Sequence, residues 1–411
     1  MSKATLLREP AQRRLLFSAG LSWLFDAMEV GMVAFVIAAV AADWNLGPQQ
    51  VGLISAINSL GMAAGAAFAG AFADKYGRRS VLIWTLLIFC AASGLSALAT
   101  SFFVLCLLRF VAGFGLGGEL PVASTLVSES VPVKDRGRAV VLLESFWAGG
   151  WIVSAVIAYF VIPEYGWRMA LVIGALPALY ALYLRRAIQE SPRYRTSAAK
   201  LSFRQRLAAV WSTNFRKSTI TLWVLWFTVV FSYYGMFLWL PSVIMIYKDF
   251  DLVKSFQYVL IMSIAQLPGY FTAAYLVEKF GRKFVLVTYL LLTAASAIWF
   301  GNADTSGMLI AAGCCLSFFN LGAWGAMYAY SPELYPTSVR STGVGLAASV
   351  GRIGGVIGPY LVGILVAQDT PMTTIFTIFF VTIIIGAITV LFFGKETKGI
   401  DPDSVDIRLN L

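Results

Sequence analysis

Apolar runs of roughly 20 residues recur along the chain between short polar loops, each long enough to cross a hydrocarbon core of about 30 Å. They fall near 16–40, 51–73, 80–99, 103–126, 139–161, 168–186, 218–246, 256–277, 284–301, 307–330, 342–366 and 373–394. In lipid every backbone N–H and C=O must be satisfied internally, so continuous runs of this length predict helices. The pattern predicts an all-α membrane protein with twelve transmembrane helices.

A repeat organises the spans. Asp74-Lys75-Tyr76-Gly77-Arg78-Arg79 returns as Glu278-Lys279-Phe280-Gly281-Arg282-Lys283, an offset of 204 residues, and Glu129, Pro132 and Arg136 map onto Glu333, Pro336 and Arg340 at the same offset. Two motifs sharing one offset predict two pseudo-symmetric six-helix bundles, the build of a transporter made from repeats. The expected divisions are 1–186 for the first bundle, 187–217 for a linker, and 218–411 for the second bundle with a short tail. The linker carries a basic amphipathic stretch through Leu201, Phe203, Leu207 and Val210, expected as a short helix at the membrane surface.

Composition fits and adds a direction. Hydrophobic residues make up 59% of the chain and charged ones 13%, too apolar for an ordinary soluble protein. The net charge of +10 invites a nucleic-acid reading, but the placement of the charges opposes it. Of the 31 Lys and Arg, all but Arg109, Arg168, Lys248, Lys254 and Arg352 fall in the termini, the linker and alternate loops on one side. The positive-inside rule then puts both termini in the cytoplasm of a multi-pass cell-membrane protein. Cys90, Cys106, Cys314 and Cys315 lie within spans, so no disulfide framework is implied. Histidine is absent, which leaves any proton chemistry to Asp or Glu.

The repeated acidic-x-x-Gly-basic-basic loops end the second and eighth spans. Gly77 and Gly281 allow a tight turn, Arg78 and Arg282 can reach carboxylates on neighbouring helices, and Asp74 and Glu278 can face a helix dipole. With Glu129, Arg136, Glu333 and Arg340 they form the expected conformational gate, a charge network that holds in one state and breaks in another.

These motifs resemble the major facilitator superfamily, in the branch of sugar porters, organic-ion transporters and synaptic vesicle-like proteins. The resemblance is carried by Gly70 through Arg79, by Arg109-x3-Gly113-x-Gly115-x-Gly117, and by Glu129 to Arg138. Glu190-Ser191-Pro192-Arg193, Pro332-Glu333-x-Tyr335-Pro336-Thr337 and Glu396-Thr397-Lys398-Gly399 complete it. Trp23 to Met28, Gly117 to Pro121, Leu143 to Trp147, Phe231 to Met236 and Phe318 to Gly325 are similar to the bacterial niacin (nicotinate) transporters. Ala274 stands where the first-half loop has Gly70, and Glu278 where it has Asp74. The family implies a twelve-helix fold with a central cavity open alternately to either side, no cofactor, and uptake of niacin with a proton. Another aromatic acid, a sugar and nicotinamide are the alternative substrates. A soluble signalling domain, a nucleophile–base pair and a metal-ligand cluster are all missing from the sequence, against a sensor or an enzyme. The expected partners are a small molecule, a proton and the lipid bilayer, with the protein monomeric and binding no nucleic acid.

Ions inside the spans are the candidate site. Asp26 lies about ten residues into the first span, hence about 15 Å deep. Arg109 in the fourth span matches the family's motif arginine and is its expected partner for proton coupling, by alternation between ion-paired and protonated states. Glu29 shares the face of Asp26 and is either a second titrating site or the lining of a water-filled vestibule. Glu119 and Glu144 can relay protons or pair with arginines, and Glu144 is also a candidate substrate-binding residue. Arg352, near the middle of the eleventh span, has no acid on its own helix and is the expected carboxylate clamp, since a guanidinium fork matches a carboxylate. Tyr234, Trp324 and Trp147 sit deep enough to stack on a flat ring, and Gln266 and Asn320 offer hydrogen bonds to a pyridine nitrogen or between helices.

Overall fold

The computed structural model describes residues 10–76, 78–130, 136–177 and 203–399; side chains are not described for 10–15, 67, 69–76, 78–79, 82, 118–130, 136–138, 203, 337–338 and 341. Five helices come first: α1 (Pro10–Trp44), α2 (Pro48–Tyr76), α3 (Arg78–Ser96), α4 (Phe102–Ser130) and α5 (Arg136–Gly174). A short α6 (Phe203–Val210) precedes α7 (Arg216–Phe237), α8 (Leu240–Lys248), α9 (Leu252–Ile264) and α10 (Gln266–Phe280). Then follow α11 (Arg282–Gly301), α12 (Ser306–Glu333), α13 (Thr337–Ala367) and α14 (Met372–Phe393). Among the described residues, 8 helices are long and apolar enough to cross a membrane. Pro48, Trp239 and Gly363 gather at one end of the bundle and Arg282, Glu333 and Glu396 at another, called below the Pro48 end and the Arg282 end.

Several expected boundaries move for local reasons. The fifth and sixth spans share α5, which kinks at Gly166 (φ 78°) just after Pro163; the sixth is described only to Pro177. The seventh breaks into α7 and α8 around Leu238 and Trp239, ahead of Pro241, whose ring cannot join a helix interior. The eighth breaks at Ala265, three residues before Pro268. Helix α6 exposes Arg204, Gln205 and Ala208 and buries its last two residues, Ala209 and Val210, with Val210 O accepting from the Thr219 hydroxyl at 2.8 Å.

Helix α1 is buried almost all round from Asp26 to Val40, as a central helix must be, while α14 exposes Ile385, Ile388, Leu391, Phe392 and Phe393 on its outer face. Small residues set the closest crossings. A Cβ on Gly61 or Gly65 of α2 would run into the carbonyls of Phe110 and Phe114 on α4, and one on Gly113 or Gly117 into those of Asn58 and Met62. Backbone-to-backbone contact of this kind replaces the hydrophobic drive that lipid removes. Gly354 and Gly358 of α13 do the same against α7.

Helices α2 and α13 then join the first set to the second. At the Pro48 end a Cβ on Gly52 would come within 2.9 Å of Pro359 O, and one on Gly363 within 2.7 Å of Pro48 O. The Trp239 indole donates to Pro359 O at 2.8 Å beside them. No side chain fits between the two helices there.

Candidate functional site

Four groups of polar side chains are set into this apolar frame. The first lies toward the Pro48 end. Glu29 of α1 and Arg109 of α4 form an ion pair at 2.8 Å, with side-chain exposures of 0% and 2%. Serines from α3 complete it: Ser93 donates to Glu29 Oε2 at 2.9 Å, and Arg109 Nη2 donates to Ser96 Oγ at 2.8 Å. Gly174 of α5 closes over the carboxylate, where a Cβ would lie 3.1 Å from Glu29 Oε2. This corrects the expected pairing. Arg109 takes the carboxylate at position 29, one helical turn from Asp26, which is itself buried.

The second group is at mid-depth. Arg352 of α13 points its Nη1 at the Tyr234 hydroxyl of α7 at 3.1 Å, and at the Met62 sulfur of α2 at 3.8 Å. Among the described residues no carboxylate comes within ion-pair distance of it. A half-buried guanidinium whose partners are a phenol and a thioether keeps most of its capacity for an anion. Met62 was not singled out from sequence; a methionine at a helix crossing carries no signal that separates it from packing.

The third group adjoins the second through rings. Tyr234 packs edge-on against Tyr233 with centroids 5.3 Å apart, and Tyr233 packs against Trp324 at 4.7 Å. Trp147 stacks on Trp324 at 6.3 Å and donates its indole N–H to the Tyr233 hydroxyl at 2.7 Å. Glu144, one turn before Trp147 on α5, is fully buried here. Trp23 and Trp324 aim their indole N–H groups at its carboxyl without closing a full hydrogen bond to either oxygen. Gln266 and Asn320 are buried as well, on α10 and α12, with Gln266 Oε1 and Nε2 and Asn320 Oδ1 unpartnered. Buried orphaned polar atoms are rare in folded proteins and mark ligand or water sites. The sequence-predicted set Arg352, Tyr234, Trp147, Trp324 and Glu144 is therefore one connected cluster, while Gln266 and Asn320 share its unsatisfied character. Trp23 and Tyr328, absent from that set, belong to it: Trp23 packs edge-on against both Trp147 at 6.4 Å and Tyr328 at 6.2 Å.

The fourth group caps the Arg282 end. Arg282 Nη1 and Nη2 donate to the two carboxylate oxygens of Glu278, each at 3.1 Å, and Nε donates to Glu333 Oε2 at 3.0 Å. Glu396, beyond α14, accepts the backbone N–H of Arg282 at 2.9 Å and of Lys283 at 3.1 Å, so a carboxylate sits on the positive end of α11. Thr397 donates to Glu333 Oε2 at 2.6 Å. Gly281 makes the turn at φ 99°, and a Cβ there would collide with Glu396. Arg340 Nε donates to the carbonyls of Pro332 and Tyr335, bracing the turn after α12. Burial pushes the Tyr335 hydroxyl in that turn up to about 12. Asp74, Arg78, Glu129, Arg136 and Glu119 lie on helices where their side chains are outside the described residues. No group of three His, Cys, Asp or Glu that could hold a metal occurs among the described residues.

Comparison with known proteins gives one direction. The sequence profile of the Major Facilitator Superfamily matches residues 19–269 and 258–406. A Bacillus subtilis protein named as a niacin/nicotinamide transporter, NiaP, is 56% identical over 94% of this chain and 97% of its own length. The niacin transporter NiaP of Acinetobacter baylyi is 41% identical over 96% of each. Among solved structures, the proton:xylose symporter XylE bound to 6-bromo-6-deoxy-D-glucose superimposes with a TM-score of 0.76 at 18% identity, covering 95% of this chain and 98% of that one.

Proposed function

We propose that this chain, which belongs to the major facilitator superfamily, carries niacin (nicotinate) across the cell membrane together with a proton by alternating access. It is a multi-pass membrane protein of a transporter family rather than an enzyme. The observation that carries the substrate reading is Arg352: a cation without a carboxylate partner among the described residues, joined through Tyr234 to a wall of aromatic rings. A flat monocarboxylate supplies what that wall lacks, a fork of two acceptor oxygens for the guanidinium and a ring for the tryptophans. The names of the two NiaP relatives agree with it.

In this reading both termini and the Arg282 end face the cytoplasm, and the halves 1–186 and 218–411 rock about the monomer's central site. Glu29 is the residue whose protonation frees Arg109, with Asp26 on the same helix face. Proton arrival from outside neutralises the pair and lowers the cost of rearranging α1 against α4. The anion enters on Arg352, the Pro48 end closes where Gly52 meets Gly363, and the Arg282 network yields to let both leave inward. One proton with one monoanion moves no net charge, so uptake follows the pH gradient and is little changed by membrane potential.

The test is uptake of labelled nicotinate into proteoliposomes with and without an inward proton gradient. Gradient-stimulated uptake in the wild type is expected to fall to background in Arg352→Ala. Glu29→Gln is expected to keep exchange and lose accumulation. A wild type that takes up no nicotinate, or an Arg352→Ala protein that accumulates it normally, refutes the reading.

A further inference from the structure

Glu144 presents a feature that a carboxylate clamp leaves unused. It is 0% exposed, neither of its oxygens is in full hydrogen-bond geometry with a described group, and Trp23 and Trp324 aim their indole N–H groups at its carboxyl. A lone carboxylate among aromatic rings costs far more than a neutral carboxylic acid there, and no described cation is paired with it. A neutral acid has one O–H to donate and requires an acceptor. Arg352 bonds the Tyr234 hydroxyl, Tyr234 packs on Tyr233 and Tyr233 on Trp324, so an unbroken run of rings leads from the anion receptor to a side chain that flanks the acid. Trp147, a turn along α5 from Glu144, is stacked on Trp324 and is the surface on which a flat substrate would lie.

Resting on the niacin reading above, we infer that Glu144, as a neutral acid, is the specificity-determining residue that donates a hydrogen bond to the ring nitrogen of a heteroaromatic carboxylate held on Arg352. The site then selects pyridine carboxylates over benzene carboxylates of the same size and charge. The two poles divide the work: Arg352 senses the carboxylate, which both kinds of acid have, and Glu144 senses the ring acceptor, which only the pyridine has. A site built to bond a substrate's polar atom rejects the analogue lacking it, because its own buried group is then left unpaired.

The experiment is competition by unlabelled nicotinate and benzoate against labelled nicotinate, on the full chain in lipid nanodiscs, for wild type, Glu144→Gln, Glu144→Leu and Arg352→Ala. The wild type is expected to prefer nicotinate to benzoate by about 10- to 100-fold, the worth of one buried hydrogen bond. In Glu144→Leu that preference should collapse to within about threefold. Glu144→Gln has nearly the same volume and keeps a neutral N–H donor, so it should retain most of the preference. A wild-type preference surviving in Glu144→Leu overturns the inference, and so does a Gln variant that loses it as fully as Leu. Loss of both acids in Arg352→Ala alongside an unselective wild type would leave the carboxylate clamp standing and remove only the role of Glu144. A wild type that binds neither acid removes both.

Discussion

Replacing Glu29 by Gln tests the buried ion pair at the heart of the proposed coupling. The change is nearly isosteric, and the amide oxygen can still accept from Arg109 Nη1, where the carboxylate now accepts at 2.8 Å. Ser96 still holds Nη2. What disappears is charge, leaving the Arg109 guanidinium 2% exposed with its paired anion gone. Removing one partner of a buried pair costs about 3–5 kcal/mol, and the retained hydrogen bonds place this variant at the lower end, about 3 kcal/mol. Removing both charges, as in Glu29→Gln with Arg109→Gln, should restore much of that loss, because the desolvation penalty goes with the pair. The assay is thermal unfolding in detergent with a thiol-reactive fluorogenic dye, for which the buried Cys90 and Cys106 are internal reporters. The single variant should unfold roughly 5 °C or more below wild type, and the double variant between them. Equal loss in Asp26→Asn with none in Glu29→Gln would show that Arg109 depends on position 26 after all and refute the assignment.

Three further outcomes follow from the same contacts. Gly281→Ala forces a side chain into φ 99° and against Glu396; it should lower stability by about 1–3 kcal/mol, read as a fall in unfolding temperature. Glu333→Gln weakens the hold on Arg282, so amide hydrogen exchange at the start of α11 should quicken while that of α3 stays unchanged. Gly363→Val drives a branched side chain into Pro48 O, where even a Cβ would sit at 2.7 Å, and should cut turnover at least tenfold while equilibrium nicotinate binding persists. Turnover at the wild-type rate would mean that α2 and α13 need not meet there.

What the sequence disclosed and what it withheld divide along physical lines. Runs of apolar residues fix where the chain crosses lipid, since backbone satisfaction permits little else, and the glycine-basic loop at Gly281 announced the Arg282–Glu278–Glu333 network through charge type and repeat. The partner of Arg109 was misassigned because helical periodicity tells which face a residue occupies, not its height. Asp26 and Glu29 share a face, and a long arginine can reach either. The serines that decide the matter, Ser93 and Ser96, sit three apart on α3, a spacing visible in advance without any hint that it faced Arg109. The Glu396 cap was legible only as part of a family pattern, because 114 residues separate it from the N–H it covers and no local rule connects them. The helix breaks at Leu238 and Ala265 did carry a local signal, in Pro241 and Pro268, which the continuous hydropathy of the spans overrode.

The Glu396 cap also orders events in time. Glu278, Arg282 and Glu333 are synthesised and inserted before the last helix, but Thr397, which bonds Glu333, and Glu396, which covers the start of α11, come after it. Synthesis runs from the N-terminus at about 5–20 residues per second. The seal at the Arg282 end therefore cannot be completed until the chain has been synthesised past α14. Until then α11 lies in the membrane with its first amides unclaimed and its arginine only partly anchored. A ribosome stalled within α14 would hold a protein in which Glu278, Arg282 and Glu333 are already made and their latch is not.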